Sequence, residues 1–184
     1  MAYIRWRGVV GVINPTKRPG GTEEVVRLLP EGIGLIPLFL DVCEGTAKEF
    51  REAINAYERH VVELAEQQVD LILPLGTPPF MMLGYKGEAE FIRKWEKRFK
   101  TPIFTSGQNH VRALRALKAK NIFNAAYTTW DENNTVVRYF TDAGFKVLAR
   151  ERVVDMQKSG SAIDARCRLE PVLGPAFGRT RGAA

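Results

Sequence analysis

Apolar positions along the chain alternate between short continuous runs and longer stripes at helical spacing. Val9 to Ile13 is a continuous run that stops at Asn14-Pro15, the pattern of a buried strand entering a loop. Pro19-Gly20-Gly21 extends that loop, and Thr22-Glu23-Glu24 reads as a helix start with carboxylates at its positive end. Ile33 to Val42 is a second apolar run. Thr46, with Glu49 three residues later, forms a capping box for a long helix reaching Gln68. Phe50, Ile54, Tyr57, Val61 and Leu64 recur at helical steps and predict one buried stripe on it.

Val69 to Leu75 is the third predicted strand, and the loop Gly76-Thr77-Pro78-Pro79 follows it. A helix is expected from about Glu88 to Lys100, with Phe91, Trp95 and Phe99 on one face. Thr101 to Thr105 reads as a fourth strand ending at Ser106-Gly107. A helix from about Gln108 to Ala119 carries Val111, Leu114 and Leu117 at helical steps. Asn121 to Tyr127 is a fifth strand, Asp131 to Ala143 a helix, and Phe145 to Val153 a sixth strand.

This alternation predicts an α/β fold, a mainly parallel sheet with helices on both faces. Right-handed crossovers bring the C-terminal ends of the strands to one edge, where open α/β sheets bind ligands. Four segments qualify: Asn14-Pro15-Thr16, Gly76-Thr77-Pro78-Pro79, Ser106-Gly107 and Thr128-Thr129-Trp130-Asp131.

Composition narrows the classes. A length of 184 residues suits one domain or one and a fraction, and 45% apolar with 26% charged residues is ordinary for a soluble protein. No apolar run is long enough for a membrane span. The opening Met1-Ala2-Tyr3-Ile4-Arg5-Trp6-Arg7 is too short and charged for a secretion signal, so a cytoplasmic setting is expected. The net charge of +6 hints at nucleic acid, but residues 146–184 carry most of the excess. The densest basic run, Arg93 to Lys100, is the solvated back of an apolar stripe. No nucleic-acid partner is expected.

Two cysteines, Cys43 and Cys167, are too few for a disulfide framework and are expected as reduced thiols. No ligand spacing suggests a metal, and His60 and His110 each fall inside a predicted helix. Neither a dinucleotide glycine fingerprint nor a P-loop occurs. No cofactor is expected. At the sheet edge, the Thr77 hydroxyl and the neighbouring amides have the chemistry to hold a carboxylate or a developing oxyanion. The same Gly and Pro residues also serve a plain turn.

A set of segments carries a resemblance. Val10-Gly11-Val12-Ile13-Asn14-Pro15 resembles the opening strand and loop of the aspartate/glutamate racemase superfamily, in the maleate cis-trans isomerase and arylmalonate decarboxylase branch. Val69 to Gly87, with Leu75-Gly76-Thr77 and Gly84-Tyr85-Lys86-Gly87, resembles the segment with the first catalytic position. Ala113-Leu114-Arg115-Ala116-Leu117 with the following strand resembles the crossing into the second half. Asp131-Glu132-Asn133-Asn134 resembles the helix start after it. The match covers about residues 8–153.

The resemblance implies two α/β halves facing each other, with substrate between them and one cysteine from each half moving protons. Gly76 stands where the first cysteine belongs, which resembles arylmalonate decarboxylase. Thr77 matches the threonine donor of that scheme, so Thr77 is the implied catalytic residue. The neighbouring hydroxyl is replaced by Pro78, and the aromatic donor near the second crossover is displaced, with Tyr127 ahead of Thr128-Thr129-Trp130. Asn14, Pro15, Thr16, Gly76, Pro78, Ser106, Tyr127 and Thr129 are the expected substrate-binding residues. Neither Cys43 nor Cys167 matches the second cysteine.

The expected organisation is a racemase-like first half over 1–119, an incomplete second half over 120–154, and an irregular or disordered tail over 155–184. Segment 159–184 gains Arg, Gly, Pro and Ala and loses periodicity, as a shifted reading frame or aberrant end on a truncated relative would. The expected function is cofactor-independent action on a small carboxylate or dicarboxylate, decarboxylase-like or isomerase/racemase-like. The alternative is a catalytically inactive carboxylate-binding protein. Surface left open by truncation is compatible with a homo-oligomer.

Overall fold

A computed structural model describes residues 6–17, 21–43, 46–126 and 130–152. The elements run β1 (Gly8–Asn14), α1 (Gly21–Leu28), β2 (Ile33–Phe39), α2 (Ala47–Glu66), β3 (Leu71–Pro74), α3 (Thr77–Met81), α4 (Gly84–Phe99), α5 (Ser106–Ala116), β4 (Asn121–Ala126), α6 (Trp130–Asp142) and β5 (Lys146–Arg152). Every strand pair is parallel, as the alternation predicts. The strands form two sheets, one in the order β2-β1-β3 and one of β4 and β5. Val12 sits centrally in the first, paired with Pro37 on one side and Leu73 on the other.

The Thr46 half of the capping box forms: its hydroxyl accepts from the Glu49 amide at 3.2 Å. The carboxylate of Glu49 reaches the Cys43 amide. Phe50, Tyr57, Val61 and Leu64 are buried on α2, and Ile54 packs against them. They meet Ile13 and Ile72 of the sheet and Ile92 and Trp95 of α4 in one cluster. Each such side chain contributes roughly 1.5–3 kcal/mol of gross burial energy. A second cluster joins Met81, Val111, Tyr139, Phe140, Ala143 and Phe145, with Ile122 and Val147 from the second sheet packed on it.

Three expectations change. The fourth strand shrinks to one bridge, Ile72 to Ile103. Pro102 has no amide to donate, and the Ile103 amide goes to the Glu96 carboxylate at 3.0 Å. Thr105 then turns into the cap of α5, its hydroxyl accepting from the Gln108 amide at 3.4 Å. Leu117 does not continue the buried stripe; it is the C-terminal cap of α5 and is 78% exposed. The segment after β3 is not an open loop: Gly76 caps the short helix α3, whose first turn holds two prolines. Proline's fixed φ suits that turn, where amide donors have no partner inside the helix.

Segment 155–184 lies outside the described residues. Among the described residues no helix is long and apolar enough to cross a membrane.

Candidate functional site

The strand ends of the first sheet converge as the parallel topology requires. Asn14, at the end of β1, is 6% exposed, and its amide donates to the Thr22 hydroxyl at 3.4 Å and the Leu38 carbonyl at 3.5 Å. It laces β1 to α1 and β2. The Pro15 carbonyl accepts from the Val42 amide at 3.0 Å, and Thr16 follows half-buried. Leu75 donates to the Ile13 carbonyl at 2.9 Å, so β1 and β3 remain joined up to Gly76.

Gly76 has φ of 97°, in the region that favours glycine. A β-carbon there would lie 2.9 Å from the Tyr57 hydroxyl and 3.2 Å from Pro15 Cγ. The Tyr57 hydroxyl also donates to the Leu75 carbonyl. Tyr57 is fully buried on α2, and burial pushes its phenol well above the ordinary tyrosine range, so it remains a donor. The structure therefore brings Pro15 and Gly76 together and adds Tyr57. Periodicity marks Tyr57 only as a core position. A tyrosine in an otherwise aliphatic stripe is the signal that its hydroxyl needs a buried partner.

Thr77 is half-buried as the first residue of α3. Pro78 and Pro79 have no amide hydrogen, so its hydroxyl is the principal side-chain donor of this turn. An open cleft begins at the next residue, lined by Phe50 of α2, Pro78 and Met81 of α3, Met82, and Thr135 and Val136 of α6; Thr77 itself is not among the lining residues. The cleft lies between elements of the first sheet's half and the helix between the two strands of the second sheet. Ser106 opens α5, which packs on α3. Tyr127 and Thr129 lie outside the described residues.

A second polar group lies behind α5. Glu88 of α4 is fully buried, and its Oε2 accepts from the Tyr139 hydroxyl and from Gln108 Nε2 at 3.4 Å. Gln108 also reaches the Tyr85 carbonyl at 3.3 Å. A β-carbon on Gly107 would meet the Tyr139 hydroxyl at 2.9 Å, so α5 approaches this cluster along a glycine backbone. Burial raises the Glu88 carboxyl above the usual range, against hydrogen bonds from Thr105, Tyr139 and Gln108 that favour its charged form. Burial, and then the hydrogen bond and charge of Glu88, raise the Tyr139 phenol.

Cys43 is half-buried after β2, where its amide donates to the Glu49 carboxylate, and Cys167 lies outside the described residues. His60 pairs with Glu63 at 3.2 Å on α2, and His110 is exposed on α5. Among the described residues no group of three His, Cys, Asp or Glu could hold a metal.

No protein-family profile and no curated protein sequence matches this chain. Solved structures do. Maleate isomerase from Pseudomonas putida is 22% identical, with a TM-score of 0.68 over 78% of this chain and 63% of that one. Maleate cis-trans isomerase from Nocardia farcinica, a cysteine-to-serine variant with a covalently bound succinylcysteine intermediate, is 16% identical with a TM-score of 0.71 over 78% and 62%. Arylmalonate decarboxylase is 18% identical, with a TM-score of 0.65 over 81% and 64%. The chain spans less than two thirds of the length of these proteins. It carries the α/β fold shared by maleate isomerases and arylmalonate decarboxylase.

Proposed function

We propose that this chain is a cofactor-independent member of the aspartate/glutamate racemase superfamily that takes a small carboxylate at the cleft beside Thr77. Its chemistry is decarboxylase-like rather than two-cysteine isomerisation. The observation that carries this choice is Gly76. Its positive φ, and the crowding of any β-carbon by Tyr57 and Pro15, leave no place for a cysteine in this conformation. The apolar lining by Phe50, Met81, Met82 and Val136 suits a substrate with an apolar group next to its carboxylates.

In such a reaction the bond to the departing carboxylate breaks, and its electron pair passes into the remaining carboxyl group as an enediolate. The Thr77 hydroxyl donates to the oxygen that gains charge. Removing one such donor typically costs about 3–4 kcal/mol in the barrier. A proton must then reach carbon, and the cleft-lining residues include no thiol, imidazole, amine or carboxylic acid. That absence among the lining residues favours a second reading, a carboxylate-binding protein without turnover.

Turnover of aryl- and alkylmalonates, compared with maleate and amino acids, separates the two. Malonate turnover that Thr77→Val abolishes supports the decarboxylase reading. Calorimetric binding of dicarboxylates with no turnover supports the binding reading. Neither binding nor turnover removes both.

A further inference from the structure

Glu88 is the fully buried carboxyl group of the described core, and three helices meet on it. Its own helix α4 belongs to the first cluster through Ile92 and Trp95. Tyr139 on α6 donates to its Oε2, and Gln108 on α5 does so at 3.4 Å. Its other oxygen, Oε1, is buried without a hydrogen-bond partner among the described residues. A bare carboxylate oxygen in that position is costly, while the neutral acid avoids a buried charge. Tyr139 lies one turn beyond Thr135 and Val136, which form the α6 wall of the cleft.

We infer that Glu88 is a proton-dependent latch. While it is neutral, α6 and with it the Thr135–Val136 wall stay docked on α4 and α5; its ionisation, which leaves a buried charge with Oε1 bare despite the Tyr139 and Gln108 donors, favours release of that wall to water. The inference concerns the junction of the helices and does not rest on the carboxylate reading of the cleft.

The groups facing Glu88 support this. Tyr85, one turn back on α4, stacks edge-on against Tyr139 with centroids 5.6 Å apart. From α5, Gln108 is neutral. Arg115 sits over the Tyr85 ring at 5.5 Å and donates to the Ala143 carbonyl at 3.0 Å, so it is committed elsewhere. His110 on α5 and Arg138 and Asp142 on α6 are exposed. Among the described residues no cation pairs with Glu88 to hold it ionised.

The sign follows from linkage. With α6 docked, burial raises the Glu88 carboxyl; in the proposed released state water reaches it and returns it toward the ordinary glutamate range. Docking is therefore strongest at and below the ordinary glutamate range and is lost as pH rises through the raised value. Within that window the opening equilibrium of α6 increases about tenfold per pH unit, and it levels off above it.

The test is amide hydrogen exchange of α6 across pH, corrected for intrinsic base catalysis, in the wild-type chain and in Glu88→Gln. The wild type is expected to show the tenfold rise in α6 opening, with α2 amides as a control that does not move. Glu88→Gln, neutral throughout, is expected to show none. If Glu88→Gln does not fold, Tyr139→Phe serves in its place: it removes a donor to the charged form and extends the rising window to higher pH. Flat α6 opening in the wild type, or an equal slope in wild type and Glu88→Gln, overturns the inference.

Discussion

The hydroxyl of Tyr57 stands 2.9 Å from the point that a β-carbon on Gly76 would occupy, while donating to the carbonyl of the preceding residue. A residue on α2 thus decides what the end of β3 can carry. The glycine is held by two independent causes, a positive φ and a filled space, so the absence of a side chain there is built into the core.

Gly76→Ala is expected to lower stability by about 1–3 kcal/mol, the usual cost of a residue held in a sparsely populated backbone region. Chemical denaturation measures this directly. An unchanged midpoint at unchanged slope would mean that the turn relaxes freely and that position 76 is open to other residues.

Tyr57→Phe removes the donor from the Leu75 carbonyl and is expected to cost about 1–3 kcal/mol. It also removes the atom nearest the new β-carbon of Gly76→Ala. The double variant is therefore expected to be more stable than the sum of the single changes, by about 0.5–3 kcal/mol. Strict additivity would separate the two residues.

Thr77→Val keeps size and β-branching and removes the hydroxyl. Thr77 is half-buried at the start of α3, so the fold is expected to persist. Dicarboxylate affinity is expected to fall about ten- to hundredfold, the range of a hydrogen bond to a charged group. Calorimetry on the two proteins checks it, and equal affinities take Thr77 out of the site.

Thr46→Ala removes the cap of α2, whose hydroxyl accepts from the Glu49 amide. The expected loss is about 0.5–2 kcal/mol. Thr46→Ser is expected to restore most of it, because serine keeps the accepting oxygen. A loss shared equally by the serine variant would assign the effect to packing of the methyl group.

Much of the fold was legible from local pattern. The α2 stripe, the Thr46 cap, the Phe91–Trp95–Phe99 face and the parallel alternation all depend on neighbours in sequence, and all appear. Ile103 and Leu117 were misread because their fates depend on distant groups. The Glu96 carboxylate takes the amide of Ile103, and α5 ends at Ala116 before Leu117 can turn inward. Of the expected site residues, Asn14 is a buried tie between strands, Pro15 and Gly76 do meet, Pro78 lines the cleft, and Thr77 precedes it in the chain without lining it. Ser106 begins α5, and Tyr127 and Thr129 fall outside the described residues.

By itself the sequence determined the element order, the parallel class and the place of Gly76 at a strand end, because periodicity and turn chemistry act over a few residues. Tertiary structure alone decided that Tyr57 fills the space beside Gly76. It also decided that Glu88, an unremarkable position on a charged helix, is a buried carboxyl shared by three helices. Both depend on which helix faces bring polar atoms together in a core with little water to solvate them, and spacing along one chain does not encode that meeting.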